Sequence, residues 1–149
     1  MIREMNPKDI DKVSALYLEA NHFTNKRTIK DWTKKDYTKY PKLHLVFEKN
    51  KLLEGAISGT INNGVGEIQN FAVKKTLRNQ HIGTKLINEL EKRFKKLKLK
   101  KIILWVDWES AAAIPFYHKK GYTITKTIKN KNIKDVPIRE EIIYMHKML

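Results

Sequence analysis

The strongest constraint on this chain lies between Glu67 and Leu97, where the hydrophobic period changes once and abruptly. The run "EIQNFAV", Glu67 to Val73, reads as a strand. From Ile82 the period becomes 3.6. Ile82, Leu86, Leu90, Phe94 and Leu97 share one face with Ile87 beside it, while Lys85, Glu89, Lys92, Lys95 and Lys96 take the others. This spacing predicts a long amphipathic helix, entered from the strand through Arg78, Asn79, Gln80 and His81. Its first turn holds no Asp or Glu, although the free N–H groups and positive dipole end of a helix attract negative charge. An anion from outside the chain is therefore a candidate occupant. If residues 78 to 84 form the loop and first turn, their backbone N–H groups converge on one concave spot. Gly83 would then allow close approach and Arg78 would add a fixed charge. From this stretch alone, an ordinary strand-to-helix connection with solvated cations fits equally well.

The flanking segments place that junction in a larger order. "MIREM" reads as a short first strand, and "NPKDIDKVSALYLEAN" as a helix with Ile10, Val13, Leu16, Tyr17 and Ala20 at helical spacing. A second helix is predicted from Thr28 to about Tyr40, ended before Pro41. "LHLVFEKN", "LLEGAISGTIN" and "VGEIQNFAV" read as three strands joined by tight turns at Asn50-Lys51 and Asn62-Asn63-Gly64, an antiparallel meander. In the third of these, Ile68 falls on one face by period two, yet Phe71 and Val73 fall on the other. A phase slip near Gln69 and Asn70 predicts a β-bulge. "KKIILWVDW" is apolar on both faces, as for a strand buried in mid-sheet. A helix through "AIPFYHKKG", a long polar loop from Asn130 to Glu141, and strands "YTITKTIK" and "EIIYMHKM" complete the chain. The sum is an α/β fold, read as one domain over residues 1–149 with a mixed, mostly antiparallel sheet of about six to seven strands and about four helices.

Composition narrows the chemistry. The 149 residues include no cysteine, which excludes disulfides, thiolate metal sites and a Cys nucleophile. The histidines show no metal-ligand spacing. No apolar run is long enough for a membrane span or a signal-peptide core, so a cytoplasmic protein is the expectation. The net charge of +15, from 31 basic against 16 acidic residues, concentrates anions of any kind. Only 5 of the 31 are Arg, the residue that reads base edges and clamps phosphates, so a nucleic-acid partner is disfavoured.

From Glu67 to Tyr122 the order of strand, R-x-x-x-x-G loop, amphipathic helix, buried strand and A-I-P-F-Y-x-x-x-G-Y resembles the GNAT superfamily of N-acetyltransferases. The loop pattern of that family, Q/R-x-x-G-x-G/A, reads here Arg78-Asn79-Gln80-His81-Ile82-Gly83, with His81 where the first small residue usually stands. Ser110 stands where the family usually has Asn, three residues before Ala113. The resemblance implies a V-shaped cleft between the fourth and fifth strands that holds acetyl-CoA. The backbone of Phe71, Ala72 and Val73 would pair with the pantetheine arm. The N–H groups of Asn79, Gln80, His81, Ile82, Gly83 and Thr84, with Arg78, would bind the pyrophosphate. Phe116 would line the cofactor side, and Ser110 would either donate to the pantetheine or cap the following helix.

The same resemblance implies the chemistry. An amine acceptor with a pKa near 10.4 is almost wholly protonated at neutral pH, so a base is useful. Glu67 matches the glutamate that serves as base in the histone acetyltransferase branch, provided burial raises its pKa. Tyr117 matches the tyrosine that would donate to the leaving thiolate. Asp107 and Tyr144 stay open as substrate contacts, as does association as a homodimer. The acceptor is an amine of unspecified identity, and the positive field argues mildly against a polycation. A catalytically idle acyl-CoA sensor and a basic nucleic-acid module are the rival readings.

Overall fold

The structure, a computed structural model, describes residues 1–21, 26–77, 81–107, 112–129 and 141–149. Two turns set its first half. Asn50 and Lys51 have φ of 52° and 65°, and Asn63 and Gly64 have φ of 51° and 75°. Paired positive φ values give the mirror-image turn whose twist matches that of antiparallel strands. They join β2 (His44–Lys49), β3 (Leu52–Asn62) and β4 (Val65–Val73) into the predicted meander. β1 (Ile2–Glu4) adds antiparallel to β2. β5 (Lys101–Asp107), β6 (Thr123–Lys129) and β7 (Glu141–Met148) complete a seven-stranded sheet of order β1-β2-β3-β4-β5-β7-β6. The last strand in sequence thus sits inside the sheet. The β4–β5 pair is parallel and every other neighbouring pair antiparallel.

Helices cover the two faces in different ways. α3 (Ile82–Lys96) lies across one face, burying Ile82, Leu86, Ile87, Leu90 and Phe94 in a core shared with Leu45, Ile57, Ile68, Ile102 and Leu104. Its approach is close because two strand glycines lie beneath Phe94: a Cβ on Gly59 or Gly66 would come within 2.8 and 3.0 Å of the ring. α4 (Ile114–Lys119) contributes Tyr117 to the same core and is followed by Gly121 at φ 92°. α1 (Ile10–Asn21) and α2 (Lys26–Lys39) pack on the opposite face, where Val13, Tyr17 and Ile29 meet Val46, Ala56 and Ala72. The entry to α1 is fixed by Asn6 and Asp9, each side chain accepting from the other end of the turn, and by Arg3 on the Asp9 carboxylate. Tyr40, just past α2, donates its hydroxyl to the Ile61 carbonyl at 2.8 Å and ties that helix end to β3.

Two expectations need correction. Leu97 is 52% exposed and does not join the α3 stripe, because the helix ends at Lys96 and Lys98 turns into a left-handed conformation at φ 64°. β5 is not buried on both faces. Ile102, Leu104 and Val106 are buried toward α3, whereas Ile103 and Trp105 are half-buried, since the core under α1 and α2 takes its strand residues from β2 to β4. The polar loop predicted from Asn130 to Glu141 lies outside the described residues except for Glu141, which instead opens β7, and Trp108 and Ser110 lie outside them too.

Candidate active site

A bulge in β4 organises the site. Ser58 pairs with Asn70 and Gly59 with Ile68, so Gln69 is the extra residue, where the phase slip predicted it. Before the bulge, Gly66 and Ile68 face α3; after it, Phe71 and Val73 pack on that side, while Ala72 joins the α1–α2 core. One inserted residue therefore places Glu67 and Asn70 together on the α1–α2 face of the sheet.

The second device is a split. β4 and β5 pair only at Gly66 with Ile102 and at Glu67 with Ile103. Beyond that point the strands part, and the edge of β4 from Ile68 to Val73 has no ladder partner on β5. This is the V-shaped cleft between the fourth and fifth strands. Its α3 side is aromatic: the Phe71 ring lies 5.9 Å from Phe116 and 6.5 Å from Tyr117, and those two are 5.5 Å apart.

The third component is the start of α3. His81 occupies the N-cap in a left-handed conformation, φ 62° and ψ 15°, exposed and making no side-chain cap. That conformation explains why a small residue suits the position; it costs a non-glycine residue on the order of 1 kcal/mol. The first turn contains no acid, and the N–H groups of Ile82, Gly83 and Thr84 lack an intrahelical partner and, among the described residues, a side-chain one. Gly83 has a packing role: a Cβ there would meet Phe71 Cζ at 3.3 Å and Val73 Cγ2 at 3.7 Å. Its absence lets the helix start lie against the open strand edge. An unpaired strand edge beside an uncapped helix start offers extended-chain pairing and anion binding next to each other, which fits the pantetheine arm and diphosphate of coenzyme A. Phe71, Ala72, Val73, His81, Ile82, Gly83, Thr84 and Phe116 come together here. Arg78, Asn79, Gln80 and Ser110 lie outside the described residues.

The two candidate catalytic groups stand on opposite sides of the sheet. Glu67 is half-buried on the α1–α2 face, and burial together with the nearby Asp36 carboxylate raises its pKa above the usual carboxylate range. Asp36 is raised too, chiefly by burial, although Lys35 and Lys39 pull it down. Tyr117 is 8% exposed among Phe71, Phe116 and Tyr122, and burial raises its phenol pKa. It is thus held as a neutral O–H donor, a weaker acid than free tyrosine. The sequence reading missed Asp36. A signal was present: Ile29, Thr33, Asp36, Tyr37 and Tyr40 recur at helical spacing, a polar stripe continuing a core position.

A mixed sheet split after two parallel pairs, beside an aromatic wall and an acid-free helix start, is the arrangement that the GNAT resemblance implied. Residues 10–122 match the Acetyltransferase (GNAT) family. An uncharacterized N-acetyltransferase of Methanocaldococcus jannaschii is 30% identical over 131 residues, covering 86% of this chain and 81% of its own. In fold, the chain is similar to Ard1 from Thermoplasma volcanium, with a TM-score of 0.86, 23% identity, and 100% and 97% of the two chains covered. It is also similar to the Salmonella typhimurium yncA structure with its cofactor acetyl-CoA, with a TM-score of 0.77, 20% identity, and 100% and 93% covered. This chain belongs to the GNAT family. It is an N-acetyltransferase. Among the described residues no helix is long and apolar enough to cross a membrane.

Proposed function

We propose that the protein transfers the acetyl group to a primary amine of a small molecule or protein, with Glu67 as base and Tyr117 as hydrogen-bond donor. The observation that carries this is the pairing of a raised carboxylate with the split strand edge: Glu67 is the last β4 residue paired to β5, at the apex of the cleft. Acetyl-CoA supplies an acetyl thioester when bound. The open edge of Phe71 to Val73 and the first-turn N–H groups of α3 would hold it, with Arg78, Asn79, Gln80 and Ser110 as further proposed contacts. Glu67, its pKa raised toward the working range of a general base, takes the acceptor's proton. Tyr117, neutral and buried, presents its O–H from the cofactor side. Full proton transfer from a phenol of raised pKa is uphill, so a hydrogen bond is the role its burial favours.

The test is release of CoA thiol with an amine panel, comparing the wild type with Tyr117→Phe and Glu67→Gln. Turnover reduced in both variants supports the reading. Silence across the panel, with acetyl-CoA still raising Tm, favours the idle sensor instead.

A further inference from the structure

The layer around Glu67 is rich in hydrogen-bond acceptors and poor in donors. Across β3 its partner is Thr60, whose hydroxyl accepts from Gln69 Nε2 at 3.0 Å. Asp36 lies one turn before Tyr40, which bonds back to the Asp36 carbonyl and donates its hydroxyl to Ile61 beside Thr60; this puts the end of α2 over the same layer, and the half-buried Asp36 carboxylate is near enough to help raise Glu67. Next along β4 on the same face, because of the bulge, stands Asn70. That side chain is 9% exposed, and its Oδ1 has no hydrogen-bond partner among the described residues. A buried carbonyl oxygen without a donor is costly, and two carboxylates sharing one site repel. Both penalties disappear if a cationic N–H donor enters.

Among the described residues, the surrounding elements show no cationic N–H group bonded to this layer. Lys35 and Lys39 on α2 act on Asp36 without forming an ion pair with it among the described residues, and the Lys39 ammonium lies over the Tyr40 ring. From α1, Tyr17 brings a phenol beside Ser58. From β2, His44 abuts Tyr37 and is held neutral by burial. From β5, Glu67 is paired with the apolar Ile103.

We propose that Asp36 and Asn70 select the acceptor as a single protonated amine, the ammonium donating to the Asp36 carboxylate and to Asn70 Oδ1 while Glu67 stands beside it to accept one proton. This rests on the acetyltransfer reading above. The step balances as one N–H bond broken and one O–H bond formed: the ammonium becomes the neutral amine and Glu67 becomes a carboxylic acid. One charge fits better than several. The layer holds two carboxylates, but the flanking lysines and the net charge of +15 repel cationic groups that extend beyond it. Asp36 and Asn70 are positioning residues.

The test has a binding arm and a turnover arm. With protein labelled at the Asp and Glu carboxyl carbons and no acetyl-CoA present, n-butylammonium is titrated in. The Glu67 and Asp36 midpoints are expected to fall saturably, as a cation stabilises both carboxylates. Asp36→Asn should weaken that binding about tenfold or more, the loss of one charge-assisted hydrogen bond. Asn70→Ala should weaken it about fivefold. Midpoints unmoved by the probe overturn the proposal. For turnover, n-butylamine, spermidine and an Ala-Gly-Gly amide are compared. Asp36→Asn should raise the acceptor KM about tenfold, with kcat and the acetyl-CoA KM within about twofold. A loss in kcat at unchanged acceptor KM refutes a positioning role. Preference for the peptide assigns the ammonium to a chain N-terminus and preference for butylamine to a small amine, whereas preference for spermidine overturns the single-charge claim. No turnover with any amine, alongside intact probe shifts, refutes the acetyltransfer reading and leaves the ammonium site standing.

Discussion

The close packing of α3 on the strand glycines can be tested by adding a single methyl group at Gly59. A Cβ there lies 2.8 Å from Phe94 Cζ and 3.0 Å from Leu90 Cδ1, and both side chains are fully buried. Carbon atoms rest at about 3.5–4.0 Å, so the helix or the ring must move by roughly 0.7–1 Å. Overpacking of this kind costs about 1–3 kcal/mol, offset by about 0.5–1 kcal/mol from removing a glycine's unfolded-state freedom. The expected net loss for Gly59→Ala is about 1–2 kcal/mol. With an unfolding entropy of about 2.1 cal/mol/K per residue over 149 residues, that is a drop in Tm of about 3–6 °C. Urea unfolding gives the free energy directly. Phe94→Leu removes the clashing atom, so the double variant should recover about 1 kcal/mol relative to the sum of the single changes. Because α3 also carries the first-turn N–H groups, Gly59→Ala should raise the KM for acetyl-CoA while kcat changes less. A variant as stable as the wild type, or strict additivity with Phe94→Leu, would refute the packing argument.

The other predictions concern proton chemistry. Tyr117→Phe is expected to lower kcat about 10- to 100-fold with the acetyl-CoA KM within about twofold, read from thiol release; an unchanged kcat removes Tyr117 from the chemistry. Glu67→Gln should be more stable than the wild type at pH 8 and lose that advantage toward pH 4. The folded-state pKa of Glu67 is raised, so the ionised carboxylate is what the fold tolerates poorly; a pH-independent difference in urea midpoint contradicts this. His44 is 1% exposed and donates from Nδ1 to the Tyr40 carbonyl, and burial pushes its pKa down to about 4. Its unfolded form takes up a proton first, so stability should fall as the pH drops from about 6.5 toward 4, by about 2 kcal/mol at pH 5. His44→Asn should flatten that slope, and identical slopes in the two proteins would show the protons belong elsewhere.

Sequence alone determined the local architecture, because local architecture depends on periodicity and turn chemistry. β3, β4 and β7 span the predicted runs, α3 begins at Ile82, and the turns at Asn50-Lys51 and Asn63-Gly64 sit where predicted, Asn and Gly being the residue types that accept positive φ. The bulge was legible because one inserted residue shifts the phase of Ile68, Phe71 and Val73. The absent acid at the start of α3 and the A-I-P-F-Y run pointed to the proposed cofactor side of the site. The proposed acceptor side depends on tertiary structure. Asp36, on a helix 31 positions earlier, comes near enough to raise the Glu67 pKa, a proximity that no spacing encodes. The insertion of β7 between β5 and β6, and the half-exposed face of β5, likewise follow from which elements cover which strands. Periodicity reports the surface a segment must bury. The partner that buries it is chosen by long-range packing, which no single window of sequence contains.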